Sequence, residues 1–270
     1  KSLRRSEKGQ TDMQRETLKK LLNRLGLSGQ MQWSRLITSD REVIRMAEEL
    51  ADYIKDRKFS VASKQLESMK SRIDLDIPQN KQYFLEKQAL LEFEQGKVTR
   101  EEFVKMEKEA LECTLRAENL YRKENVYLTE REIICISNSW KGMEGKEKKE
   151  SINLILRLYD NYALNNGLSQ AISVYEIVTE AAVNELGNNG EHVRAEEIDR
   201  KSIKASLSCR RVWDIHYKIY DILWNEKKLM KKSGKRVSNN RMNTELKRCI
   251  IMSHYVKRYF YENVYKEKLS

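Results

Sequence analysis

Hydrophobic residues along most of the chain recur every three or four positions, the spacing of an amphipathic helix that buries one face. Between Asp40 and Ile54 they keep this spacing, and Ser39 precedes them as a candidate N-cap. After a turn at residues 57–59, a second segment carries apolar residues on one face from Val61 to Ile73. The two segments together predict a helical hairpin.

The same hairpin pattern recurs further along the chain. Its first helices begin near residues 40, 79, 129 and 169, a period of roughly 40 to 50 residues. Thr99, followed three residues later by Glu102, has the sequence of a capping box at the start of a second helix. One Pro and ten Gly are too few turn residues for a sheet-rich fold of this length. We therefore predict an all-α, right-handed solenoid of helical hairpins of the tetratricopeptide-like kind.

The pattern lengthens toward the C-terminus. Residues 198–230 predict one or two long helices, and residues 233–240 predict a linker. A final helix with an apolar and aromatic stripe is expected from about Met242, ending in Tyr261 and Tyr265. Such a stripe favours a capping helix packed on the last repeat, and a share in a homodimer interface is the alternative.

The formal net charge of +11 is concentrated at the two ends of the chain. Residues 1–26 hold eight Lys or Arg against three acids, and residues 225–258 hold eleven against two. This distribution indicates that any contact with nucleic acid is made from the ends. The basic run at 227–248 is interpreted either as a solvated surface or as a phosphate-binding surface, although no aromatic residue interleaves it for base stacking.

Several functional classes lack their sequence signatures. The longest apolar runs fall far short of the roughly 20 residues that span a bilayer, and the N-terminal stretch has no secretory pattern, so we expect a soluble, cytoplasmic protein. The four cysteines and three histidines lie far apart, which predicts reduced, packed thiols and no metal site. No catalytic motif of a metalloprotease, α/β-hydrolase or phosphate-cradling loop occurs, so neither an enzyme nor a cofactor is expected.

The N-terminal segment carries a resemblance to a DNA-binding domain. Residues 3–10 read L-R-R-S-E-K-G-Q, and residues 18–26 read L-K-K-L-L-N-R-L-G. This resembles the second half of an Xre-type helix-turn-helix domain. The positions that fit the pattern are Glu7, Gly9, Leu18, Leu21, Leu22, Leu25 and Gly26. The resemblance implies nucleic-acid contacts from Arg4, Arg5 and Lys8, and DNA binding that depends on an intact N-terminal domain in a parent protein.

The body of the chain carries a second resemblance. From residue 27 to about residue 225 it is similar to the tetratricopeptide-like sensor domain of Rgg/PlcR-type (RRNPP) regulators, most specifically at L-T-E-R-E-I-I-C-I-S-N-S-W-K in residues 128–141. The resemblance implies a homodimer that binds a short signalling peptide on its concave face. The implied domains are a helix-turn-helix remnant at 1–27, a sensor domain at 28–232, and a linker with a capping or dimerisation helix at 233–270.

Candidate peptide-binding residues follow from helix periodicity and from the family's sensor motif. Asn138 corresponds to the family motif, and Arg131 and Cys135 are expected to share its helix face. On the next first helix, a comparable polar stripe consists of Ser173, Glu180 and Asn184. Amide side chains suit an extended peptide because they offer a donor and an acceptor together. For each residue alone, a solvated helix face remains the competing interpretation.

The functional hypothesis is therefore the sensor part of a bacterial transcriptional regulator that controls an attached helix-turn-helix domain. The alternative is a helical-repeat scaffold that binds a protein partner through the same concave face, without a peptide ligand. A narrow polar groove favours the first hypothesis, and a broad apolar groove favours the second.

Overall fold

The computed structural model describes residues 36–115, 128–166, 168–210, 215–234, 239–255 and 259–269; side chains are described for these except 159–171, 173, 174 and 255–260. This part of the chain is all-α and holds eleven helices. They are α1 (Arg41–Lys55), α2 (Phe59–Lys70), α3 (Pro78–Glu94), α4 (Arg100–Glu112), α5 (Glu130–Ser139), α6 (Gly145–Asn166), α7 (Leu168–Asn188), α8 (His192–Ser208), α9 (Ile215–Lys232), α10 (Asn240–Tyr255) and α11 (Tyr259–Leu269). The predicted first helices near 40, 79, 129 and 169 are confirmed as α1, α3, α5 and α7.

The helices stack as successive hairpins, each packed mainly on its neighbours in sequence. The first helices also touch across hairpins, because α5 packs on both α3 and α7. Among the described residues, the second helices α2, α4 and α6 approach one another less closely. The helices α4 and α6 are instead bridged by long side chains, such as Lys108 and Glu147, whose Nζ and Oε1 atoms are 3.4 Å apart. The stack therefore curves here with the first helices on its inner side.

The hydrophobic core runs through the stack as a series of clusters. The N-terminal cluster joins α1, α2 and α3 around Leu50 and Met69. The largest cluster extends from α4 to α8 and includes Trp140, which is fully buried and donates from Nε1 to Ser151 Oγ at 2.9 Å. The C-terminal cluster joins α9, α10 and α11 around Cys249. Each hairpin thus completes its core only by contact with the next one.

Helix α5 begins at a capping box that is itself buried. The Glu132 backbone N–H donates to Thr129 Oγ1 at 3.3 Å, and the Thr129 N–H donates to Glu132 Oε2 at 2.8 Å. The other Glu132 oxygen accepts from Thr114 Oγ1 at 2.7 Å, and Gln82 Nε2 donates to that same hydroxyl at 2.8 Å. These hydrogen bonds fix the start of α5 against both helices of the preceding hairpin.

A glycine allows the turn after α5 to approach the preceding hairpin. A Cβ atom on Gly142 would lie 2.5 Å from the Arg100 carbonyl oxygen and 2.6 Å from Val104 Cγ2. A side chain here would push α5 away from α4, because close-packed interiors leave no space for it.

Two elements differ from the sequence-based expectation. The N-cap of α1 is Asp40 rather than Ser39: its Oδ1 accepts from the backbone N–H of Glu42 at 2.9 Å. The expected single final helix is a pair: α10 packs on α9, and α11 folds back along α10, with Tyr265 and Leu269 joining the C-terminal cluster. The capping role therefore falls to α11.

The remaining sequence features have mostly structural roles in the part of the chain described. The four cysteines are free; Cys135 and Cys249 are buried, and the other two are partly exposed. His192 is buried and pairs through Nδ1 with Asn225 Oδ1 at 2.9 Å, which ties α8 to α9. No helix within the described ranges has the length and apolar character to cross a membrane.

We predict that the buried capping box contributes more stability than the exposed one. Thr129→Ala should lower the free energy of unfolding by about 2 kcal/mol, because it removes a cap and leaves a buried N–H without its acceptor. The matched change Thr99→Ala, at an exposed box with the same hydrogen bonds, should cost at most about 1 kcal/mol. Urea denaturation of both variants would test this, and equal losses would contradict it.

Candidate functional site

The inner side of the stack carries a group of charged and polar residues between α3, α4 and α5, here called the glutamate cluster: Glu86, Lys87, Glu107, Arg131 and Asn138. Glu86 on α3 is fully buried. Its carboxylate accepts from Arg131 Nη1 at 2.9 Å and from Lys87 Nζ at 3.1 Å. Two cations therefore compensate one buried carboxylate, as burial of a charge requires.

A tyrosine orients the cationic side of this cluster. The Arg131 guanidinium lies over the Tyr83 ring, 4.6 Å from its centroid, and Lys87 Nζ lies 5.9 Å from the same centroid. The planar guanidinium can stack on the ring while its N–H groups bind the carboxylate. This arrangement holds the head group of Arg131 in place, with its side chain 12% exposed.

Asn138 joins Glu86 to a second buried carboxyl group on α4. Its Nδ2 atom lies 3.1 Å from Glu107 Oε1 and 3.4 Å from Glu86 Oε1, so both N–H groups are directed at carboxyl oxygens. Glu107 is 1% exposed, and its Oε2 atom has no hydrogen-bond partner among the described residues. The Asn138 amide therefore bridges two acids with different surroundings. Two cations balance the charge of Glu86, whereas Glu107 has an oxygen without a partner among the described residues.

The two acids have opposite pKa shifts. Burial alone would raise the pKa of Glu86, but the charges and hydrogen bonds of Lys87 and Arg131 outweigh it, and the pKa lies below its usual value. Burial, followed by the negative charge of Glu86, raises the pKa of Glu107 well above its usual value. The surroundings thus favour the ionised form of Glu86 and the protonated form of Glu107.

A second polar site lies at the C-terminal end of the inner side. We call it the C-terminal pocket; its volume is about 230 Å³. The first helices α7, α9 and α11 supply nearly all of its walls, and α8 supplies one residue. Its lining residues are Glu180, Asn184, Asp199, Tyr217, Lys218, Tyr220, Asp221, Tyr261, Val264, Tyr265 and Lys268. An adjoining cavity of about 220 Å³ shares Asn184 and continues along α7 to Asn188.

Two carboxyl groups in this pocket have raised pKa values. Burial, followed by the negative charge of Asp221, raises the pKa of Asp199 to about 9. Burial, followed by the charge of Glu180, raises the pKa of Asp221 to about 7. Asp199 is 2% exposed and its Oδ2 atom has no hydrogen-bond partner in the described structure. Raised pKa values in a concave site are typical of functional groups, and buried structural acids also show them.

A third cavity, of about 350 Å³, lies between α4, α5 and α6. Its walls are mainly apolar, with Leu111, Ile136 and Met143 among them, and Glu107 also lines it. Among the described residues, no group of His, Cys, Asp and Glu side chains is arranged to hold a metal ion at any of these places.

The structure places the predicted site residues in two groups. Arg131 and Asn138 lie together in the glutamate cluster, whereas Cys135 is buried beside them in the core. Glu180 and Asn184 are exposed and line the C-terminal pocket together. The remaining candidates, namely the side chain of Ser173 and the residues Arg4, Arg5 and Lys8, fall outside the described residues.

The basic run at 227–248 is partly engaged with neighbouring residues. Lys227 Nζ donates to Asn239 Oδ1 at 2.8 Å, Lys228 lies over the Trp224 ring, and Arg248 pairs with Glu245. Its role as a phosphate-binding surface stays a hypothesis.

Sequence analysis did not identify Glu86, Glu107, Asp199 or Asp221. Each is an acid at a position that helical periodicity assigns to a buried face, and that conflict is the signal that could have identified it. Periodicity alone does not show which other acids or bases face each of them, because most of those partners lie on other helices.

Comparison with known proteins gives a likeness at the level of fold. No family model matches the chain, and no curated protein matches it. Among solved structures, it is similar to the crystal structure of Bacillus thuringiensis PlcR in complex with the peptide PapR7 and DNA. The TM-score is 0.62 and the sequence identity 13%, over 98% of this chain and 88% of that chain. At this identity the likeness establishes a shared helical architecture.

We predict opposite effects when the two buried glutamates are neutralised. Glu107→Gln should make the protein more stable at neutral pH, because the amide imitates the protonated acid. The contribution of Glu107 to stability falls as the pH rises above about 4.5, because Glu107 ionises there in the unfolded state whereas its pKa is raised in the folded state. The gain of the variant should therefore grow from pH 4.5 to pH 8.

Glu86→Gln should instead lower the free energy of unfolding by about 3 to 5 kcal/mol at pH 7, because it leaves Arg131 and Lys87 without their anion. The exposed change Glu112→Gln, also in α4, serves as a control with a small effect. Denaturation curves at several pH values would test the set. A Glu107→Gln variant less stable than wild type at pH 8 would contradict the assignment of a protonated acid.

Proposed function

We propose that the chain is the sensor part of a bacterial transcriptional regulator, which binds a short peptide along the inner side of its stack and controls an attached helix-turn-helix domain. The observation that carries the proposal is the C-terminal pocket: carboxyl, amide and phenol groups from successive first helices converge at one concave site. The fold shared with PlcR, a protein solved with a peptide and DNA, adds support.

The polarity of the inner side suits an extended peptide. Such a ligand brings one N–H and one C=O per residue, and each must find a partner when it leaves water. Asn184 can supply both, is exposed, and lines the C-terminal pocket and the adjoining cavity. Asn138 is held by two carboxyl groups, so a ligand that binds it must compete with them.

The regulatory part of the proposal rests on the N-terminal segment. Residues 1–27 resemble part of an Xre-type domain, and Arg4, Arg5 and Lys8 remain the proposed DNA contacts. One contact holds Ile37 against the sensor: Asn80, at the start of α3, accepts from the Ile37 N–H at 2.8 Å and donates to the Ile37 carbonyl at 3.0 Å. We also propose a homodimer, as in the resemblance above.

The alternative function, a scaffold for a folded protein partner, calls for a broad apolar surface. The groups lining the C-terminal pocket are mainly charged or phenolic, and the exposed large hydrophobic residues of the described chain are scattered over several helices. These features favour the peptide hypothesis.

A binding experiment on the whole chain tests the proposal. Immobilised protein would be incubated with a random pool of five- to eight-residue peptides, and the retained peptides identified by mass spectrometry. The best ligand, resynthesised, should bind with a Kd that Asn184→Ala raises about tenfold, the loss expected for one or two hydrogen bonds.

Asn243→Ala is the matched control, since Asn243 is an exposed helical asparagine of α10 outside the pocket. Both variants should melt at the wild-type temperature. If no peptide is retained above a blank surface, or if the two variants lose affinity equally, the proposed peptide site is wrong.

A further inference from the structure

The C-terminal pocket contains more acids than its bases can compensate. Glu180, Asp199 and Asp221 line it together with Lys218 and Lys268. In the glutamate cluster, by contrast, two cations donate hydrogen bonds to one ionised acid, Glu86. The pocket thus lacks the positive charge that its carboxyl groups would need in order to ionise together.

Both lysines of the pocket are already engaged. Lys218 is buried, and its Nζ donates to Ser206 Oγ at 3.1 Å, while that hydroxyl donates to Glu176 Oε1 at 3.2 Å. Lys268 Nζ lies over the rings of Tyr220 and Tyr265, at 5.3 Å and 5.6 Å from their centroids. Each ammonium group therefore binds groups other than the Oδ2 atom of Asp199.

Asp199 supplies a hydrogen-bond acceptor that no donor of the described structure satisfies. It is buried on α8, it lines the pocket, and its Oδ2 atom has no donor among the described residues. A buried oxygen without a partner costs free energy comparable to a lost hydrogen bond. A ligand that brings an N–H donor would recover this loss.

The aromatic walls favour a cation over a neutral donor. The rings of Tyr217 and Tyr265 stack with centroids 5.5 Å apart, and Tyr220 meets Tyr265 edge to face at 6.1 Å. Ring faces attract guanidinium and ammonium groups, as the position of Lys268 already illustrates. The volume of about 230 Å³ equals that of roughly seven or eight water molecules, enough for one long side chain.

We propose that this pocket selects peptides that carry a positive charge: a guanidinium or ammonium group enters beside the tyrosines and donates to the carboxyl oxygens of Asp199 and Asp221. This inference rests on the proposed function, and it adds the chemical class of the peptide. An anionic group is disfavoured because three acids surround the site and both lysines are engaged.

The test compares two synthetic hexapeptide pools on the immobilised whole chain. The pools are identical except at one fixed position, which holds arginine in one pool and its uncharged isostere citrulline in the other. The wild type should retain at least tenfold more of the arginine pool. Equal retention of both pools would overturn the proposed charge selection while leaving peptide sensing intact, whereas retention of neither pool would contradict the proposed function itself.

Two variants localise the effect. Asp199→Asn keeps the shape of a side chain that is neutral at pH 7, so the fold should persist while the preference for the arginine pool falls to about twofold or less. Glu197→Gln removes an exposed carboxylate from the same helix outside the pocket, and it should leave the preference unchanged. If Asp199→Asn keeps the full preference, the assignment to this pocket is wrong.

A measurement on the wild type alone adds a second readout. A bound cation favours the ionised forms of Asp199 and Asp221, so binding at pH 7 should release protons to the buffer. The charged groups that face these two acids are Glu180, Glu196, Lys218 and Lys268. Calorimetry of one arginine-containing peptide in two buffers of different ionisation enthalpy would detect the release, and identical heats in both would contradict the proposal.

Discussion

The stacking of each hairpin on the next is the constraint on which the rest of this structure depends. No hairpin closes its own core: Trp140 and Met69 are buried only because neighbouring helices cover them. The same stacking brings the first helices α3, α5 and α7 side by side. Side chains from separate parts of the sequence therefore meet on the inner side, and every polar site described above forms between hairpins rather than within one.

Because these sites are buried, the balance of charges within each one determines the pKa values of its carboxyl groups. In the glutamate cluster, Arg131 and Lys87 keep Glu86 ionised, and Asn138 links it to the protonated Glu107. The cluster is closed by its own partners, which suits a role in fixing how α5 sits against α3 and α4. Because its hydrogen bonds are largely used within the protein, a ligand would gain little there without breaking them.

The C-terminal pocket has the opposite character. Its acids raise one another's pKa, its lysines are engaged elsewhere, and Asp199 keeps an oxygen without a partner among the described residues. An incoming donor with a positive charge would supply what the fold leaves uncompensated, and it would do so where α7, α9 and α11 converge.

The sequence alone determined the helical class, the starts of α1, α3, α5 and α7 and the capping box at Thr99, because helical periodicity and N-cap chemistry are local properties. It also identified Asn138, Glu180 and Asn184 as polar positions on first helices. Only the tertiary structure decided that α11 folds back along α10, that Cys135 is buried, and that Asp199 and Asp221 share a pocket. These outcomes depend on which helices pack together. Contact between distant hairpins produces no periodic pattern in the sequence of either hairpin.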